Sequence, residues 1–422
     1  MRSKNREFDK NAGLHFWTAA GCPKGERTGM CASQSLSPGA VRKKIMIVKD
    51  STTFSPPTGS STSSNSLLTK PNGATFFVPS LQELISTRLI NQLGSIEAIE
   101  KFLENSAIDI KPIFKNALTR LQSQVDILLN RVVKGKQKEA EEIIKANPTL
   151  LLSKGTVIDY SNRTIHGTAF QIALGAEDVR YQPHEECMIE MIKRYLKQLP
   201  DGEEEIAIQI HEQFPDGWEK IEEKRVENDW NALQKVVNAI SNARPCDDCE
   251  TELQEFRDYL KPIGIIKTGK HFNIQLLVQA FKLYDKNFNH FGGKEESHQN
   301  HLFWTKVIGY IERFLPACYA QACSQGIYYI VENSEKLTRS LKFRFDYFCF
   351  FPLDNDPHHR LGYDYAFAPG MVDTWVPPWP GGTIKYRHGG YLANYVKQKT
   401  DRLQKLIEQP NYHSALHLCA IV

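Results

Sequence analysis

No apolar run in this chain reaches the roughly eighteen residues that a membrane-spanning helix requires. The run Ile45-Met-Ile-Val48 is too short to span or to serve as a secretion signal, and no apolar signal-peptide core follows Met1. Excess charge is also missing. Lys and Arg number 52 against 49 Asp and Glu, a net charge of +3, so nothing global argues for nucleic acid as a partner. Cysteine is sparse, 9 in 422 residues, and lacks the spacing of a small disulfide-stapled domain. A reducing, cytosolic setting is the simpler expectation. No phosphate-cradling G-x-x-x-x-G-K-[ST], dinucleotide glycine fingerprint or kinase signature occurs, and no cofactor is expected.

What is present suits a large globular core. Hydrophobic residues make up 41% of the chain and charged residues 24%. Met1 to Ser80 is the exception: 12 of the 20 residues from Ser51 to Lys70 are Ser or Thr, beside Pro56-Pro57. Such a stretch buries too little apolar surface to offset its ordering entropy, so 1–80 is expected to be disordered. Met46 is an alternative initiator. Beyond it the reading is mostly α. It divides into a helical domain over 81–200 and a mostly helical domain with a small β element over 201–422.

Residues 128–196 carry the most informative pattern. Leu128, Leu129, Val132 and Val133 share a helical face. Gly135 breaks that helix as a C-terminal cap. A second helix places Ala140, Ile143 and Ile144 on one side, and Asn147-Pro148 stops it. After a polar loop over 150–166 comes Gly167-Thr-Ala-Phe-Gln-Ile-Ala-Leu174, and then a helix with Met188, Ile189, Met191, Ile192, Tyr195 and Leu196. The Gly167–Leu174 run resembles the G-x-T-P-L-H-L-A-A opening of ankyrin repeats, with Ala169 for Pro and Gln171 for His. In that family the Thr and His positions stabilise the turn into the first helix. The resemblance implies that Gly135, Ala140, Ile143, Ile144, Thr168, Phe170 and Ala173 form the core of a degenerate repeat unit. Ordinary repeats recur about every 33 residues and roughly three make a stable stack. Two interrupted copies are visible here, with a third fragment at Ser414-Ala-Leu-His-Leu-Cys-Ala420. Ordinary amphipathic helix pairs are the competing reading.

Leu81 to Leu103 and Ile110 to Val133 read as helices flanking this unit. Asp201 to Glu227, with 10 Asp or Glu against 3 Lys or Arg, reads as a solvated acidic face. Phe272 to Asn287 and His301 to Ala322 read as buried helices, the second kinked or split by Pro316. Leu341, Phe343, Phe345 and Tyr347 alternate with polar residues, as in a strand, and Tyr363 to Phe367 is its expected partner. Gly370 to Gly390 reads as a long ordered loop.

Candidate chemistry is thin. Cys246-Asp-Asp-Cys249 is the only C-x-x-C and lacks a second ligand pair, while its aspartates disfavour thiolates. His184-Glu-Glu-Cys187 has ligand spacing but no evident partners. Cys318 and Cys323 near His301, or His358-His359 beside Asp354 and Asp356, would serve an enzyme with a Cys/His site in the C-terminal domain. No recognised signature surrounds them, so catalytic residues stay unassigned and no metal site is expected. Cys419-Ala-Ile-Val422 fits the C-a-a-X prenylation pattern, against the reading of Cys419 as a small helical residue. A membrane enters as a partner only through that modification.

The run from Leu302 through Ala322 to Ile330, with the Gly155–Ser161 loop, is similar to ankyrin-like proteins of intracellular gammaproteobacteria. Several such proteins are delivered into host cells. That resemblance implies a protein–protein interaction scaffold that resides in the bacterial cytoplasm and is translocated onto host targets.

Overall fold

In the computed structural model, the described residues are 67–69, 75–77, 95–105, 111–342 apart from 184, 218, 245–246, 262 and 292–296, then 344 and 385–408. They are mostly helical. The fold-class expectation holds at that level. Two short strands, β1 (Leu67–Thr69) and β2 (Thr75–Phe77), pair antiparallel inside the segment expected to lack structure. Leu67, Leu68, Phe76 and Phe77 supply the apolar side chains that the preceding Ser/Thr tract lacks. That Ser/Thr tract lies largely outside the described residues.

Helix α1 (Ile96–Asn105) leads into α2 (Lys111–Val133). In α2, Phe114, Leu121, Val125, Leu128 and Val132 recur at helical spacing and are all buried. Gly135 ends the helix with φ +65. Its N–H donates to Val132 O at 2.9 Å and the Lys136 N–H to Arg131 O at 2.9 Å, the bond pair of a Schellman cap. Helix α3 (Gln137–Ala146) then folds back on α2, with Ala140 and Ile144 fully buried and Ile143 partly so. Asn147-Pro148 passes into a short 3-10 turn, Pro148–Leu152.

The stretch 150–166, expected to be a polar loop, is different. It holds β3 (Gly155–Ile158) and β4 (Thr164–Gly167), an antiparallel hairpin laid against α2. Gly155 allows this contact, because a Cβ there would stand 2.8 Å from Leu129 Cδ1. A third strand, β5 (Ile265–Ile266), joins β4 in parallel from a hundred residues away. Helix α4 (Ala169–Gly175) follows the hairpin and is entirely buried. Helices α5 (Met188–Leu196) and α6 (Gly202–Gln213) close this first core.

A second core is built from α7 (Glu219–Asn242), α8 (Glu250–Leu260) and α9 (Gln275–Asn287). The helix expected over His301–Ala322 is split at Pro316, as its proline implied, and its first part is divided again. It runs as α10 (His298–Leu302), a π-helical stretch Phe303–Ile308 and α11 (Gly309–Glu312). It then breaks before Pro316, which caps α12 (Ala317–Gln325). Proline has no N–H to continue a helix, so the break falls where the sequence places it. The short α13 (Ile327–Val331) follows Gly326. Trp304 packs edge-on against Phe281 at 5.5 Å and Tyr284 at 4.9 Å. Helix α14 (Lys385–Ile407) starts inside the stretch expected to be a loop. Its Leu392, Tyr395 and Val396 enter the second core and its Leu403 and Ile407 the first. The expected strands over 341–351 and 363–367 fall almost wholly outside the described residues.

Candidate functional site

Gly135, Ala140, Ile144, Thr168, Phe170 and Ala173 are buried, and Ile143 is partly buried. Thr168 is the N-cap of α4, and Gln171 completes a capping box with it. The Gln171 N–H donates to Thr168 Oγ1 at 3.2 Å, and the Thr168 N–H donates to Gln171 Oε1 at 2.9 Å. Gln171 thereby ties the backbone on both sides of the turn into α4. Phe170 and Ala173 are buried beside it. These residues pack into the first core.

Two features stand out beyond the scaffold. The first is a buried charge network where the cores meet. Glu177 carries a positive φ of 54, and its carboxylate takes Lys270 Nζ at 2.9 Å and the Tyr319 hydroxyl at 2.8 Å. Asp178 receives Arg339 through two N–H groups, at 2.6 and 2.8 Å. Burial alone would raise the Asp178 pKa, but the Arg339 charge and hydrogen bonds outweigh it and hold the carboxyl below its usual value. Lys399, 1% exposed, lies 4.2 Å from the Tyr319 ring centroid and 5.4 Å from that of Tyr395. Its Nζ is 3.6 Å from Cys318 Sγ. Burial works against the ammonium, yet Cys318, Tyr395 and Asp178 raise its pKa overall.

Burial raises the pKa of three of the thiols. Cys318 donates to Ala176 O at 3.3 Å, and burial pushes its thiol up to about 11 despite Lys399. Cys187 sits at the N-terminus of α5, and burial followed by the Asp178 charge pushes it up to about 12. Cys249 is pushed up to about 11, by burial first and Asp247 next. Cys323 is buried in α12. Among the described residues, no group of three or more His, Cys, Asp and Glu could hold a metal ion. The side chains of His184, Cys246 and His301, the segment with His358 and His359, and Cys419 lie outside the described residues.

The second feature is a pocket of about 280 Å³ beside β5. Phe272 and Phe314, stacked with centroids 6.2 Å apart, form part of its apolar wall together with Leu276 and Ile266. Asp229 from α7 supplies a carboxylate that is 4% exposed. It accepts the Tyr259 hydroxyl at 2.6 Å and the Asn273 amide, both neutral donors. Arg163 also lines the pocket, but Asp159 neutralises it at 2.7 Å. It donates further to His271 O at 3.0 Å. At the mouth stand exposed Lys261 and Ile263, and on the nearby sheet Ile265 and Ile158 are exposed too. Ile263 is 91% exposed, Ile265 53% and Ile158 56%. Ile158 pairs with Thr164, and Thr164 with Ile265, so these three side chains form one row on the solvent face of the sheet. Sequence reasoning missed this site, whose lining comes from separate elements and loops spread from Arg163 to Phe314.

The chain is 28% identical over 241 residues to an uncharacterised protein of Coxiella burnetii, an intracellular gammaproteobacterium. The match spans 57% of this chain and 57% of that relative, so the chain covers little more than half of the relative's length. No family model matches the chain, ankyrin repeats included. No solved structure matches it. Among the described residues, no helix is long and apolar enough to cross a membrane.

Proposed function

We propose that this protein is an interaction scaffold, an ankyrin-like helical unit with an attached sheet, delivered into a host cell to bind a host protein. The observation that carries this reading is a group of exposed apolar residues at the sheet: Ile158 and Ile265 on its solvent face, and Ile263 just before β5 at the mouth of the pocket. Clustered exposed apolar residues are costly on a soluble chain, and they mark surfaces that a partner covers. The capping box at Thr168 and the Schellman cap at Gly135 support the ankyrin likeness locally. The relative in an intracellular bacterium supports the host-directed reading.

Affinity enrichment from host-cell lysate tests it, with the full chain compared to an Ile263→Asp, Ile265→Asp double variant. Both positions are solvent-exposed, so the variant should fold. The reading expects a host protein retained by the wild type and lost from the variant. Identical recoveries, or no specific protein in either, would count against it. Membrane attachment belongs to this reading only through prenylation of Cys419. Equal membrane and cytosol partitioning of wild type and Cys419→Ser in mammalian cells would remove it.

A further inference from the structure

Resting on that reading, we infer that the β5 edge takes an extended segment of the partner protein, which adds as a strand and places a lysine side chain in the pocket against Asp229. Three observations converge. The sheet order is β3-β4-β5, so among the described residues β5 ends the sheet. A terminal strand presents backbone donors and acceptors to an incoming chain. Ile263 and Ile265 are exposed at that edge. They offer apolar cover to the outward residues of an added strand.

Alternation then fixes where the other residues go. Successive side chains on a strand point to opposite faces. Ile265 faces solvent in the row with Thr164 and Ile158, whereas Ile266 turns inward and lines the pocket. A residue of the added strand beside Ile265 therefore joins the apolar outer row. A residue beside Ile266 points toward the pocket.

The chemistry of the pocket selects that inward residue. Asp229 is buried, and among the described residues its partners are the Tyr259 hydroxyl and the Asn273 amide. A carboxylate has about four acceptor positions, so two remain for an incoming donor. A buried carboxylate with only neutral donors is short of positive charge. The Arg163 guanidinium does not supply it, since it is paired with Asp159. Lys261, exposed at the mouth, is not among the partners of Asp229 within the described residues. Phe272 and Phe314 give the methylene stem of a lysine an apolar wall, and aromatic faces favour its ammonium. A neutral apolar side chain would fill the space but leave the carboxylate without a counter-charge.

The test uses a fluorescent, acetylated and amidated pentapeptide, Thr-Ile-Lys-Ile-Thr, titrated against the full chain. Its isoleucines fall on one face and its lysine on the other. Saturable binding is expected, weakened at least about tenfold when the lysine is replaced by norleucine, because a charge-assisted hydrogen bond is lost. Asp229→Asn should reduce binding of the lysine peptide comparably and leave the norleucine peptide unaffected. Should that variant melt early, the two peptides on the unaltered protein still decide the question. Amide exchange should slow on binding at whichever of Ile265 and Ile266 points its N–H away from β4. Equal affinities for the two peptides, no saturable binding, or unchanged exchange at β5 would each overturn the inference. If a host protein is still lost on Ile263→Asp, Ile265→Asp, that failure leaves the scaffold reading standing. If no host protein is captured at all, both fall.

Discussion

At Asp178 the carboxylate and the Arg339 guanidinium bury each other, with side chains 5% and 15% exposed. Replacing one partner leaves the other charge buried and alone. Asp178→Ala should therefore cost about 3 to 5 kcal/mol in a urea melt. Because the folded Asp178 pKa lies below its unfolded value, its contribution is complete above the ordinary carboxylate range of about 4. It is lost as pH falls through the folded value. Stability of the wild type should fall below that range, and Asp178→Asn should flatten part of the slope. An unchanged slope would assign acid sensitivity elsewhere. The thiols give a second residue-scale outcome. Cys187 and Cys318 are buried, with pKa values pushed up to about 12 and about 11. Iodoacetamide at neutral pH should spare both in the native protein and modify both in urea; rapid native labelling at Cys318 would restore the nucleophile reading.

The helix hairpin α2–α3 depends on one backbone conformation. Gly135 sits at φ +65, and a Cβ there would stand 2.7 Å from Gln321 Nε2, whose amide donates to Gly135 O at 3.0 Å. Gly135→Ala should lower stability by about 2 kcal/mol, combining left-handed strain with displacement of Gln321. Thr168→Ala removes the α4 cap and a hydrogen bond to buried Gln209, and should cost about 1 to 2 kcal/mol. Thermal or urea melts read both, and an unshifted midpoint would contradict the caps as described. These elements were legible in the sequence because their punctuation is local: Gly135, Asn147-Pro148, Thr168 with Gln171, and Pro316. The hairpin β3–β4 was not, since four-residue strands with Thr156 and His166 outward give too short an alternation to separate from a polar loop. The pocket was invisible for a related reason. Asp229 meets Asn273 across 44 residues and Arg163 meets the His271 carbonyl across 108, contacts that no local spacing announces.

The described residues within 64–422 belong to one compact unit, although their apolar side chains gather in two cores. Helix α14 belongs to both, through Tyr395 and Val396 on one side and Leu403 and Ile407 on the other. The pairs Glu177–Lys270 and Asp178–Arg339 join the same region. Ending the chain before Lys385 should therefore weaken both cores together, seen as one lowered calorimetric transition; loss confined to one of two transitions would show that the cores fold independently. Such a joined body holds the hairpin, β5 and the pocket wall in fixed relation, which is what a docking surface requires. The proposed interaction is tested most directly by hydrogen exchange on the full chain with and without a host protein recovered by the affinity enrichment. The account predicts slowed exchange over residues 155–158 and 263–266, with the surface of α14 unchanged. Protection confined to α14, or none at the sheet edge, would contradict it.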